Sequence, residues 1–276
     1  MPRARVNGVE LFYETEGPAG GEPLVLVHGS WSDHLGWGRV LPRLAQTYRV
    51  LAYDRRGHSR SERPAGQGSR REDEDDLAAL IEMLGSGPVH VAASSFGAST
   101  TLGLAARRPE LLRSITAHEP PLMAVVAGEA ELQPLMAPME AAIGGVLATL
   151  RSGEPETAAR RFVEDVAVGP GAWEQLPDPV RRTFTANAPT FADEQADPDW
   201  ADLDLGSLGG FAGPVLLTTG AESPPWFRVI RDKVASAFGG RAERHTFEGA
   251  GHVPHLTHPE AYVDRLTAFV AGRAVA

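Results

Sequence analysis

The chain has 276 residues, 42% hydrophobic and 22% charged, a length that one α/β domain can fill and a composition that is globular rather than disordered. A formal net charge of −10 argues against nucleic acid or an anionic membrane as partner, since neither would be attracted to it. With no cysteine, disulfides, thiolate metal sites and a thiol nucleophile are excluded.

The first residues, MPRARVNGVELFYETEG, lack the apolar stretch of a signal peptide, and no later apolar run is long enough to span a bilayer. A cytoplasmic protein with no membrane partner is therefore expected. Residues 3–6 and 10–15 flank Asn7-Gly8, a two-residue hairpin signal. Residues 24–27, 48–53 and 89–93 are apolar on both faces, as strands of a covered parallel sheet must be. Between them, 34–46 and 72–84 have helical period, and the second opens on acidic residues that suit the helix dipole. Strands are expected again at 114–118, 215–219 and 243–247, and a closing helix at 259–270.

The pattern predicts an α/β fold: a doubly wound, mostly parallel sheet with an N-terminal antiparallel hairpin. Residues 120–210 break the rhythm with helical patterns at 137–150 and 156–166 and an acidic loop at 193–204. They read as an inserted helical lid, dividing the core into 1–119 and 211–276. Phe162, Trp173, Phe184 and Phe191 in that insert need a surface to bury against.

The chemistry centres on Ala93-Ser94-Ser95-Phe96-Gly97-Ala98, which follows a strand and precedes the helix-compatible run 98–107. A serine on a sharp strand-to-helix turn exposes its hydroxyl at the sheet edge. The turn tolerates only small residues two places before and after the serine. Ser95 meets that test with Ala93 and Gly97, whereas Ser94 would put Phe96 in the crowded place. Gly249-Ala250-Gly251-His252 supplies a histidine on a loop able to reach that hydroxyl as general base. In His28-Gly29-Ser30-Trp31, the N–H of Ser30 or its neighbour would join that of Phe96 in an oxyanion hole. His28 reads as a turn-stabilising residue. His252, His255 and His258 do not read as a metal site, because Pro254 and Pro259 break any helix aligning them. His255 is expected to line the mouth and His258 to begin the closing helix.

These landmarks resemble the α/β-hydrolase superfamily over nearly the whole chain. Asp54-Arg55-Arg56-Gly57-His58-Ser59-Arg60-Ser61 is similar to its D-x-R-G-x-G-x-S segment, with Ser59 where the second glycine usually stands. The resemblance implies Ser95 as nucleophile, His252 as triad histidine and no cofactor. The triad acid departs from the pattern: the turn after 215–219 carries Ser223 where the acid usually stands. Glu222 and Glu119 are the two substitutes. Some haloalkane dehalogenases of the superfamily place a glutamate where Glu119 stands, and the resemblance implies the same role here, ahead of Glu222. Aspartate-dependent dehalogenase and epoxide hydrolase chemistry does not fit Ser95. The expected reaction is hydrolysis of a small or medium apolar ester or lactone through an acyl-enzyme. A non-hydrolytic cyclase, lyase or acyltransferase, and a receptor-like ligand-binding protein, are the alternatives. Trp31, Leu122, Met123 and Trp226 are expected to contact a small-molecule substrate, with a homodimer the one protein association left open.

Overall fold

The computed structural model describes residues 2–272. The hairpin at Asn7-Gly8 joins β1 (Arg3–Val6) to β2 (Val9–Glu16), and both turn residues adopt positive φ, as a tight hairpin turn requires. Next come β3 (Pro23–Val27) and α1 (Leu41–Leu44). The helix expected at 34–46 is instead a 3-10 turn, His34–Trp37, followed by that single turn of α-helix. Gly36, Gly38 and Pro42 interrupt it. Strand β4 (Arg49–Tyr53) leads to α2 (Arg70–Leu84), whose start is fixed by a reciprocal capping box between Ser69 and Glu72. Then follow β5 (Val89–Ser94), α3 (Phe96–Arg107) and β6 (Leu112–His118).

Only helical elements lie between β6 and the next strand. They are α4 (Gln133–Arg151), α5 (Pro155–Arg161), α6 (Ala172–Gln175) and α7 (Asp178–Ala196). The single helix expected at 156–166 is divided, because a π-helical turn, Phe162–Ala167, continues α5. The acidic loop expected at 193–204 is also corrected: Asp193 and Glu194 belong to the last turns of α7. The chain closes with β7 (Val215–Gly220), α8 (Pro225–Ala237), β8 (Ala242–Phe247), α9 (Pro254–Thr257) and α10 (Pro259–Val270).

The strands form one eight-stranded sheet in the order β1-β2-β4-β3-β5-β6-β7-β8. It is antiparallel at β1–β2 and β2–β4 and parallel from β4 to β8. Leu77, Leu102 and Ile230 of α2, α3 and α8 cover one face, and Leu41, Leu44 and Tyr262 of α1 and α10 the other. A third apolar cluster joins Trp31, at the end of β3, to Val146, Ala158, Trp173 and Phe191 of the insert. That is the partner surface the insert's aromatics required. Among the described residues no helix is long and apolar enough to cross a membrane.

Buried polar contacts fasten α7 to the sheet edge. Asn187 Nδ2 donates to Ser32 O at 2.8 Å, and its Oδ1 accepts the Ser59 N–H at 2.7 Å. Arg55, 1% exposed, bridges Asp73 of α2 and Glu194 of α7, each at 2.7 Å, and its guanidinium lies 4.5 Å from the Phe96 ring centroid. Removing one member of such a network leaves its partners charged in a dry interior. Arg55→Leu is therefore expected to lower unfolding free energy by about 3–5 kcal/mol. Urea denaturation at neutral pH measures it, and an effect below about 1 kcal/mol would show the network does not hold the insert.

Candidate active site

Ser95 stands between β5 and α3 with φ 56° and ψ −125°, a conformation a non-glycine residue rarely holds. Its surroundings explain the small neighbours. A Cβ on Gly97 would lie 2.4 Å from His28 O and 2.6 Å from Val27 O. A Cβ on Gly29 would lie 2.8 Å from that of Ser95, so the two turns can meet only if one of them is glycine. The Ser95 N–H donates to His118 O at 2.8 Å, tying the serine to the end of β6. Among the described residues, neither Ser30 N–H nor Phe96 N–H has a hydrogen-bond acceptor. Both are left free to bind developing negative charge, and the α3 dipole favours it at Phe96.

Glu119 follows β6 with φ 45° and is fully buried. Its Oε2 accepts His252 Nδ1–H at 2.6 Å and its Oε1 accepts Gly220 N–H at 2.7 Å. Burial alone would raise its pKa. The hydrogen bond from His252, the neighbouring His118 and the Ser223 side chain outweigh burial and bring it down to about 2. The ionised carboxylate fixes the proton on His252 Nδ1, which leaves the Nε2 lone pair free. Glu222 is exposed, and among the described residues it engages the loop through its N–H to Ala250 O and has no side-chain hydrogen bond to His252. Of the two hydrogen bonds of a serine triad, the acid–histidine bond is formed. None joins Ser95 Oγ to His252 among the described residues, as is common before substrate tightens such a site.

Four other histidines, His28, His34, His255 and His258, have structural places. His28 Nδ1–H donates to Gly29 O at 2.8 Å and its Nε2 accepts Arg55 N–H at 2.9 Å. Burial, with Arg55 adding to it, brings its pKa down to about 3, so it stays neutral and ties the β3 and β4 turns together. His34 Nδ1–H donates to Asp54 Oδ1 at 2.5 Å beneath the same turns. His255 does not line a mouth: it is buried with its ring centroid 4.6 Å from that of Trp37. His258 immediately precedes α10, as expected.

Among the described residues, two groups of donor atoms are close enough to consider for a metal, His118–Glu119–His252 and Asp33–His34–Asp54. Their carboxylate oxygens already accept hydrogen bonds, from Gly220 and His252 in the first and from Leu35, Ser59, His34 and Arg60 in the second. Both groups read as hydrogen-bonded networks.

Of the residues expected to contact substrate, Leu122 and Trp226 are buried in the main core, and packing accounts for them. Met123 is half-buried against that core. Trp31 has φ 67° and lies fully buried beneath Phe162, Phe191 and Phe184, with centroid distances of 4.7, 5.0 and 6.3 Å. Phe227, next to Trp226, stacks on the His252 ring at 5.2 Å and 25°. The sequence points to Trp226, whereas α8 (Pro225–Ala237) turns its third residue, Phe227, toward the histidine loop. Asn187 was missed altogether, because nothing local distinguishes an asparagine within a helix.

A sharp serine turn at the carboxyl edge of a parallel sheet, with a carboxylate–histidine pair beside it, defines the hydrolase class built on this fold. The sequence profile of the alpha/beta hydrolase family matches residues 24–265, and the chain belongs to that family. It is 36% identical over 126 residues to the uncharacterized hydrolase YraK of Bacillus subtilis, covering 45% of this chain and 46% of that protein. The chain thus spans about half the length of this curated relative. Among solved structures it superposes on an alpha/beta hydrolase from Sphaerobacter thermophilus with a TM-score of 0.76 at 24% identity, covering 98% of this chain and 100% of that one. The enol-lactonase from Burkholderia xenovorans superposes with a TM-score of 0.71 at 22% identity over the same shares. At these identities the structures show the fold alone.

The depressed pKa of Glu119 has a stability signature. A carboxyl whose folded pKa is lowered stabilises the fold above its unfolded value of about 4.3, and this is lost as pH falls toward the folded value. Wild type is therefore expected to exceed Glu119→Gln in unfolding free energy most above about pH 5, the gap closing toward about pH 2. Urea midpoints across that range measure it, and a gap independent of pH would contradict the ionised assignment.

Proposed function

We propose that this chain is a serine hydrolase that cleaves a small or medium apolar ester or lactone through an acyl-enzyme. Ser95 is the nucleophile, His252 the general base and Glu119 the acid, with the N–H groups of Ser30 and Phe96 as oxyanion hole. The observation that carries this reading is the 2.6 Å bond from His252 Nδ1 to the buried Glu119 carboxylate at the edge where Ser95 turns.

The steps follow from that arrangement. Ser95 Oγ attacks the carbonyl carbon while its proton passes to His252 Nε2. Glu119 stabilises the imidazolium, and the two N–H groups bind the tetrahedral oxyanion. The alkoxide leaves with the proton from His252, and the acyl group stays on Ser95. Water, deprotonated by His252, then releases the acid and regenerates the serine. The insert at 120–210 serves as a lid, and the aromatics around Trp31, together with Met123 and Phe227, favour a neutral apolar substrate. A small-molecule partner in a cytoplasmic setting fits the acidic surface.

A fluorophosphonate probe followed by peptide mapping tests the reading. Labelling is expected at Ser95, absent in Ser95→Ala, with turnover in Glu119→Gln reduced by about 10⁴-fold. Ser223 contributes to the environment of the same carboxylate, so Ser223→Asp added to Glu119→Gln is expected to recover part of the loss. A folded wild type that resists the probe and hydrolyses no activated ester would overturn it.

A further inference from the structure

His118 ends β6 with its imidazole 0% exposed, and a buried polar ring needs partners to offset its desolvation. Its Nδ1 lies 2.8 Å from Thr218 Oγ1 on β7. Its Nε2 lies 3.7 Å from Glu119 Oε2, and its ring centroid is 6.1 Å from that of His252. Successive side chains along a strand point to opposite faces, so those of 118 and 119 should diverge. The φ of 45° at Glu119 undoes that alternation and brings both to the His252 loop. Burial brings the His118 pKa down to about 4, so the ring is neutral near pH 7 and carries one N–H. The Nε2 edge faces the Glu119 carboxylate and the His252 main chain, which favours the tautomer protonated there, and Nδ1 then accepts from the Thr218 hydroxyl.

We propose that His118 is a positioning residue for the catalytic acid: its Nε2–H edge, braced by Thr218, holds the Glu119 carboxylate in the orientation that His252 uses. This rests on the serine-hydrolase reading above. Around the ring stand Glu119, Thr218, Phe247 of β8, His252 and, more distantly, His255 of α9. Glu119 is the only carboxylate among them, so it is the group whose charge the N–H edge favours. The main-chain carbonyl of His118 also accepts the Ser95 N–H. One residue thus spaces the nucleophile by its backbone and the acid by its side chain.

The test uses His118→Phe, His118→Gln and Thr218→Val in the full chain. Two readouts serve: the pH profile of the fluorophosphonate labelling rate, and the low-field proton resonance of His252 Nδ1–H. In His118→Phe, labelling is expected to slow by about tenfold, as when an outer partner that orients a reactive group is lost. Its low-pH limb should move, because the Glu119 carboxylate that partners the base is no longer held in place, and the resonance should shift or broaden. His118→Gln, which keeps an N–H donor, should recover part of each effect, and Thr218→Val should show a smaller change in the same direction. A folded His118→Phe with unchanged rate, limb and resonance would overturn the proposal and leave His118 as core packing. If His118→Phe does not fold, an unchanged Thr218→Val overturns it equally. An unlabelled wild type would instead overturn the serine-hydrolase reading, while the resonance still reports on His118.

Discussion

A carboxylate taken wholly out of water remains ionised only if its oxygens are engaged, and the active site is arranged around meeting that condition at Glu119. Gly220 N–H occupies one oxygen and His252 Nδ1–H the other. The first contact depends on the parallel β6–β7 register, which brings the two strand ends level. The second draws a glycine-flanked loop, free to adopt many paths, onto one. The β7 turn, where the acid usually stands in this family, is filled here by Ser223 beside the same carboxylate, so the charge enters from the neighbouring strand and reaches the same histidine.

Backbone strain marks the same edge. Trp31, Ser59, Ser95 and Glu119 all have positive φ without being glycine, and each lies in a turn at the carboxyl end of a strand in the parallel sheet. Each such conformation costs on the order of 1–3 kcal/mol and survives only where its surroundings over-determine it. Two compensations are visible. Ser59, standing where the family has glycine, gives its N–H to Asn187 and its hydroxyl to Asp33 at 2.8 Å. Trp31 is clamped by the ring stack from the insert. Helix α7, through Asn187 and Glu194, therefore belongs mechanically to the sheet edge, so any opening of the insert is expected in its other elements.

Much of this was legible in the amino-acid order because it is local. Apolar runs marked the strands, Asn7-Gly8 the hairpin, and small residues around Ser95 the turn, each a consequence of sterics within a few residues. Glu119 was legible only through family resemblance, since nothing local separates a buried acid from one capping a turn. What could not be read depended on contacts across the chain. The capacity of Asn187 to join two turns, the choice of Phe227 over Trp226 at the histidine, and the burial of His255 against Trp37 are set by packing 25 to 218 residues away or by which side of a helix faces inward. The interruption of 34–46 by two glycines and a proline was visible in the residues, and the apolar period there outweighed it.

The central claim is that an acyl group passes through Ser95, and trapping that ester tests it most directly. The chain would be mixed with an activated ester, quenched in acid within the first turnover, and analysed by intact mass and peptide mapping. The account predicts a transient adduct equal to the acyl group, confined to the peptide bearing Ser95 and lost on further incubation as free acid appears. Product formation with no adduct at any time, or an adduct on another residue, would contradict it.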